Sequence, residues 1–245
     1  MIRFDTNNYE YNKSSPIGVY IIHGFSNTTY EVKEIAKFLG DQGFHTVANN
    51  LPGHGTTVEE CNRVKYQMWI EHVMQDIANL ISISEKTYVI GCSMGANLAL
   101  YLSSIFPLNG CIVGGTVLKF KNPFTIHITN RLLCKIIKFS QKKIKNDSNI
   151  KYYGYSSYPL IALNEMRKLT KRVISKLPKV KSPLLIIHTE SDRLSLRENV
   201  DLVYNKTSSK IKEKFFVKHA HHNLFDENPD QEEIFNEVLK FISKH

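Results

Sequence analysis

The stretch VIGCSMGANLAL, residues 89–100, sets Ser93 between Gly91 and Gly95 where an apolar run gives way to a helical pattern. A serine so placed suits nucleophilic attack. A sharp strand-to-helix turn exposes its hydroxyl, the flanking glycines leave room for close approach, and the first helix amides favour negative charge. The hydroxyl is a poor nucleophile until a base takes its proton. Two later segments offer the missing groups. HTESDRLSL carries Asp192 four residues after His188, and KHAHHNLFDE holds His219, His221 and His222. A carboxylate that orients an imidazole, and an imidazole that accepts the serine proton, would complete the relay.

Such groups must be brought together by the elements between them. GVYIIHG (18–24) is a β-branched run ending at glycine, which predicts a buried strand entering a loop. YEVKEIAKFLGDQG places Val32, Ile35, Ala36 and Leu39 on one helix face. FHTVANNLPGHG reads as a strand running into a Pro/Gly loop, and residues 69–83 as a helix with Trp69, Val73, Ile77 and Leu80 about one turn apart. TYVIGC, GCIVGGTV, SPLLIIHTE and KEKFFVKH read as strands; MGANLALYLSSIF, RENVDLVYNK and DQEEIFNEVLKFISKH read as helices. Strands alternating with helices predict a mostly parallel sheet covered on both faces. In such a sheet, chemistry gathers at the carboxyl ends of the strands, where Ser93, Asp192 and the histidines all fall.

The charge is uneven. From Lys119 to Lys181 there are 16 Lys or Arg against two acids, so this segment carries +14 of a net +9 and leaves the remainder mildly acidic. It reads as an insertion, residues 117–180, in a core made of 1–116 and 181–245. Within it, FTIHITNRLLCKIIKFSQKKIK spaces Ile128, Leu132, Leu133, Ile136, Ile137 and Ile144 as a helix stripe, interleaved with Arg131, Lys135, Lys138, Lys142 and Lys143. Two readings stand side by side: an apolar wall for an acyl pocket with lysines meeting anionic lipid head groups, or a solvated helix in a lysine-rich chain. Residues 142–158 are compositionally biased. No nucleic-acid motif accompanies the positive charge, so nucleic acid is not an expected partner. The four cysteines lack CxxC or metal-ligand spacing, and neither a secretory leader nor a membrane span is visible, which predicts a cytoplasmic protein with free thiols.

Several pieces, in order, resemble one family: IIHGFSNTTYEVKEIAKFLGDQGF, NLPGHGTT, YVIGCSMGANLALYL, SPLLIIHTESDRL and HAHHNLFDENP. The chain is similar to the bacterial carboxylesterase and monoacylglycerol lipase family of α/β-hydrolases. The resemblance implies an α/β-hydrolase fold with a small inserted helical cap, hydrolysis of carboxylic esters through an acyl-enzyme, and no cofactor or metal. It makes Ser93 the nucleophile, Asp192 the acid and His222 the base, with His221 as rival. The backbone N–H groups of Phe25 and Met94 match the oxyanion donors, and both side chains would form an apolar mouth for the substrate. Departures are Cys92 before the serine, Ala96 where a second glycine is common, and no proline after the acid.

Other roles stay open. Ser93 is alternatively a turn serine, Glu190 the acid, and Asp192 an N-cap for the helix after it. His23 is expected to shape the oxyanion loop; His54 and His188 are expected to bond nearby backbone, and Trp69 to anchor the core. A metal held by His219, His221 and His222 is disfavoured because neighbours in an extended segment face opposite ways. The expected activity is a serine carboxylic-ester hydrolase. An acyl thioesterase or a non-catalytic ligand-binding scaffold are the alternatives, and a membrane-surface binding protein is another.

Overall fold

A computed structural model describes residues 6–142 and 154–245. Four consecutive strands of one sheet, β2 (Ile17–Ile22), β4 (Lys86–Cys92), β5 (Gly110–Gly114) and β8 (Leu184–Thr189), are buried along nearly their whole length. Apolar runs of this kind can satisfy both sheet faces only when helices cover both. Successive side chains do alternate between two cores. Tyr20, Ile22, Val89, Val113 and Ile186 join the core on one face, while Val19, Ile21, Ile90, Ile112 and Ile187 join the other. Each such aliphatic side chain fully withdrawn from water contributes roughly 1.5–3 kcal/mol before entropy is subtracted.

The sheet order is β1-β3-β2-β4-β5-β8-β9, with β3 at His45–Ala48 and β9 at Lys212–Val217. All neighbours run parallel except β1 (Tyr9–Tyr11), which pairs antiparallel with β3 through Tyr9 opposite Ala48. The expected mostly parallel sheet is therefore present, with one edge strand that periodicity did not reveal. Three residues, YEY, are too few for an alternation signal, but Tyr9 and Tyr11 pack on the core.

Helices α1 (Lys33–Asp41) and α8 (Gln231–Lys244) cover one face. Helices α3 (Tyr66–Ile83) and α4 (Met94–Ser103) cover the other, after a one-turn α2 (Val58–Cys61) closed by a capping box between Thr57 and Glu60. Trp69, Val73, Ile77 and Leu80 form the buried stripe of α3, and Trp69 is fully buried. Between β8 and β9 lies α7 (Glu198–Lys206).

The chain between β5 and β8 departs from the expected long amphipathic helix. It makes a π-helical turn (Thr125–Thr129), a single turn α5 (Asn130–Leu133), then a hairpin of β6 (Phe139–Gln141) and β7 (Ser157–Pro159), then α6 (Leu160–Lys176). The helix ends at Leu133, and further on the Lys138 carbonyl accepts from the Asn62 side chain (2.9 Å) and the Leu160 amide (2.9 Å), pairing the chain with distant segments. Ile128, Leu132, Leu133, Ile136 and Ile137 are exposed, and none of them lines the cavity that holds Ser93. Ile144 and Lys143 lie outside the described residues. α6 is different in kind: Ala162, Met166, Leu169 and Val173 enter the same core as α3 and α4.

Candidate active site

Parallel strands deliver their carboxyl ends to one edge of the sheet, and three loops meet there. The first follows β4. Ser93 occupies φ 55° and ψ −113°, a conformation costly for a side-chain-bearing residue, about 1–3 kcal/mol. Its amide donates to the Gly114 carbonyl at 2.9 Å, which anchors the turn to β5. A β-carbon on Gly95 would sit 2.1 Å from the Ile22 carbonyl oxygen, and one on Gly91 2.2 Å from that of Gly95. Gly95 is thus dictated by how closely the turn crosses β2, Gly91 by how closely the start of α4 folds back on the strand, and Ser93 stands at the apex between them.

The loop after β9 supplies His222. Its Nε2 is 2.9 Å from Ser93 Oγ, and its Nδ1 is 2.8 Å from Asp192 Oδ2. Asp192 comes from the loop after β8. Its second oxygen accepts from the Leu194 (2.7 Å) and Ser195 (2.8 Å) amides. Burial of the carboxyl acts to raise its pKa, but the bond and charge of His222 and the two amides outweigh it and hold Asp192 below the ordinary value. Asp192 therefore caps its own turn and does not cap α7, whose N-cap is Arg197. Glu190 is exposed and so is His221, and His222 alone of the histidine run makes these contacts. Among the described residues no group of His, Cys, Asp or Glu has the arrangement to hold a metal ion.

The third loop follows β2. His23 Nε2 accepts from the Leu51 amide (3.0 Å), so Nδ1 carries the proton and donates to the Gly24 carbonyl (2.9 Å). Burial, reinforced by His54, pushes the His23 pKa down to about 3, so it holds the loop as a neutral ring. His54 bonds the Pro52 carbonyl and stacks edge-on with Phe25 and Trp69. His188 instead packs edge-on against Phe216, and its buried Nδ1 has no partner among the described residues. Glu31, fully buried, accepts from the Gly24 amide (2.5 Å) with one oxygen and from Asn27 Nδ2 (2.7 Å) with the other. Burial raises the Glu31 pKa against the lowering effect of those bonds and of His222. The Phe25 amide follows directly on this braced peptide, and the Met94 amide is the first of α4.

A cavity of about 250 Å³ opens onto Ser93 and His222. Phe25, Val117, Phe120, Leu163, Met166 and Leu194 give it apolar walls; Ser26, Asn27, Glu31, Lys142, Tyr158 and Asn223 give it polar ones. The Met94 side chain is not among them. All ten residues of α4 are buried, and Met94 points into the core, which corrects the expectation that it borders the substrate. Sequence reasoning missed Glu31, Lys142 and Asn27. Glu31 lies eight positions after His23, and nothing in the composition of that helix start distinguishes a bracing carboxyl from a solvated one.

The family described as serine aminopeptidase, S33 (Hydrolase_4) matches residues 16–229. A thermostable monoacylglycerol lipase from Bacillus sp. (strain H-257) is 25% identical over 236 residues, 96% of this chain and 94% of the relative. A carboxylesterase from Bacillus subtilis (strain 168) is 21% identical over 234 residues, 95% of this chain and 94% of the relative. Among solved structures, one from work on the metagenome-derived lipolytic enzymes LipS and LipT superposes with a TM-score of 0.89 at 23% identity, covering all of both chains. That likeness carries the fold.

Proposed function

We infer that this chain, which belongs to the serine aminopeptidase S33 (Hydrolase_4) family and is an α/β-hydrolase of the lipase and esterase type, hydrolyses small carboxylic esters through an acyl-enzyme on Ser93. The observation that carries the reading is the unbroken hydrogen-bonded line from Ser93 Oγ through His222 to Asp192, set on a strained turn. His222 Nε2 takes the hydroxyl proton as Oγ attacks the ester carbonyl carbon. The oxyanion forms against the Phe25 and Met94 amides. Removing one such donor typically costs about 10²–10³ in kcat. His222 then passes its proton to the departing alcohol as the acyl–oxygen bond breaks. Water, deprotonated by the same imidazole, attacks the acyl-enzyme, and the carboxylic acid leaves with Ser93 restored. Asp192 keeps the ring in the tautomer this needs and stabilises the imidazolium.

The cavity lies just below the roughly 300–1,000 Å³ range of drug-sized pockets, which favours short- to medium-chain acyl esters or monoacylglycerols. Hydrolysis of a p-nitrophenyl ester series from acetyl to palmitoyl, beside Ser93→Ala and a phosphonate probe, tests this. Turnover peaking at a short or medium chain and lost in the variant is expected. A wild type inert to both esters and the phosphonate would overturn the reading in favour of a binding scaffold, and thioester turnover alone would favour a thioesterase.

Residues 117–180 form the inserted cap on this reading, with α6 as its base in the core. Its exposed apolar side chains, among them Phe124 (71% exposed) and Ile136 (82%), alternate with exposed Arg131, Lys135 and Lys138. That mixture complements an anionic lipid surface, at about 1 kcal/mol per basic residue near it. Co-sedimentation with phosphatidylglycerol vesicles that weakens with salt is expected; equal binding to phosphatidylcholine vesicles, or none to either, would overturn the association. A cytoplasmic location is favoured by four free, buried cysteines, which suit a reducing compartment. Among the described residues no helix is long and apolar enough to cross a membrane.

A further inference from the structure

Lysines ordinarily run their stems along a surface and keep the ammonium in water. Lys142 does not. It lies at the end of β6, its Nζ bonds Ser26 Oγ at 2.8 Å, it stands 4.8 Å from the centre of the Tyr158 ring, and it lines the cavity that holds Ser93 and His222. Burial lowers its pKa to about 8, so at neutral pH it remains a cation inside the reaction chamber. Glu31, whose two oxygens accept from the Gly24 amide and Asn27, acts on it electrostatically from across the loop. A second observation points the same way. The segment that supplies Lys142, residues 119–181, carries 16 basic residues against two acids, whereas the rest of the chain is mildly acidic, so the chain's excess positive charge falls in the segment that contributes Lys142 to this cavity.

We propose that Lys142, with Ser26 and Asn27 beside it, forms a subsite for a negatively charged oxygen group, and that the esters this protein hydrolyses most efficiently carry a phosphate or a carboxylate. The proposal rests on the ester-hydrolase reading and deepens it. The subsite recognises the anionic oxygens, which the Lys142 ammonium meets as a point charge with rotatable donors. The apolar walls from Val117, Phe120 and Met166 receive the hydrocarbon part. The basic cap raises the local concentration of such substrates before they enter.

The test uses three octanoyl esters below their micellar concentration: octanoylglycerol, octanoylglycerol phosphate and octanoyl lactate. kcat/KM for each is measured on the wild type, Lys142→Met and Lys142→Arg, and each anionic ester is read as a ratio to the neutral one. The ratio cancels general damage to the cap. The wild type is expected to favour at least one anionic ester, and Lys142→Met to lower that preference by at least about ten-fold, the scale of one lost charged hydrogen bond. Lys142→Arg is expected to keep most of it. Glu31→Gln, which removes the opposing charge, is expected to move the ratio upward. A fall for the phosphate ester alone identifies a phosphate subsite, and a fall for both a general anion subsite. Equal loss on all three esters in Lys142→Met, or a wild type that favours the neutral ester with a ratio unmoved by the variant, overturns the proposal. Wild type inactive on octanoylglycerol as well would instead count against the ester-hydrolase reading.

Discussion

Gly115 offers a sharp test because one added methyl acts on both the backbone and the imidazole. It follows β5 at φ +56°, and a β-carbon there would lie 3.1 Å from the His222 carbonyl oxygen and 3.3 Å from Cε1 and Nδ1 of its ring. In Gly115→Ala the left-handed backbone costs about 1–2 kcal/mol. At about 2–4 °C per kcal/mol for a chain of this size, the melting temperature falls by roughly 2–8 °C. The contacts also push the ring by a few tenths of an ångström. The 2.8 Å and 2.9 Å bonds to Asp192 and Ser93 leave from that ring, so both are disturbed together. A misplacement of about 1 Å costs near 10² in rate, so a smaller shift is expected to lower kcat by about ten-fold. Scanning calorimetry and ester kinetics read the two effects separately. Gly43→Ala is the control: it has φ +93° with nothing within 4 Å of the added carbon, so it should lose stability and keep its kinetics. Gly115→Ala with kcat/KM within about two-fold of wild type would refute the claim that this glycine seats the imidazole.

Three further outcomes follow from the same contacts. Asp192→Asn should lower kcat by about 10³–10⁴ while far-ultraviolet circular dichroism stays unchanged, because its side-chain oxygen can still accept from Leu194 and Ser195; residual activity near wild type would remove Asp192 from the relay. Asp226, raised by burial to a pKa of about 7, is protonated when folded and ionised when unfolded between its unfolded value of 3.8 and 7, so its contribution is full below that window and is lost as pH rises through it. Asp226→Asn should therefore raise the melting temperature above that window and leave it unchanged in acid, and a gain that is the same at every pH would contradict this. Glu31→Ala should lower kcat with KM little changed and weaken phosphonate trapping, since it frees the peptide before the Phe25 amide; a rise in KM alone would mean that Glu31 serves substrate binding instead.

Much of the architecture was legible because it rests on local periodicity. Strands such as IIHG and YVIG are buried on both faces, and the helices between them carry stripes such as Trp69, Val73, Ile77 and Leu80, so alternation alone predicts the sheet. The strand ends also carry Ser93, Asp192 and His222, and parallel topology gathers them at one edge. What escaped depended on distant partners. The helical stripe expected from residue 124 onward breaks at Leu133, and beyond it Asn62 and Leu160, far along the chain, pair with the Lys138 carbonyl. Met94 was misassigned because its spacing does not say that α4 is buried all round. Glu31 and Lys142 look like surface charges until the folded chain encloses them.

The grip of the cap on Ser26 has a consequence for anyone exchanging modules within this architecture. Ser26 sits at φ +60°, its hydroxyl takes the Lys142 ammonium, its carbonyl takes the Tyr155 amide, and Gly154 approaches so closely that a β-carbon would fall 2.1 Å from that carbonyl oxygen. The neighbouring residue is Phe25. A graft that replaces the cap to change substrate preference would therefore also undo the scaffolding of the loop proposed to hold the oxyanion. A transplant must bring its own donors to Ser26 and keep a glycine at that crossing. On the ester-hydrolase reading proposed above, specificity and transition-state stabilisation would thus be inherited together, as one transferable part.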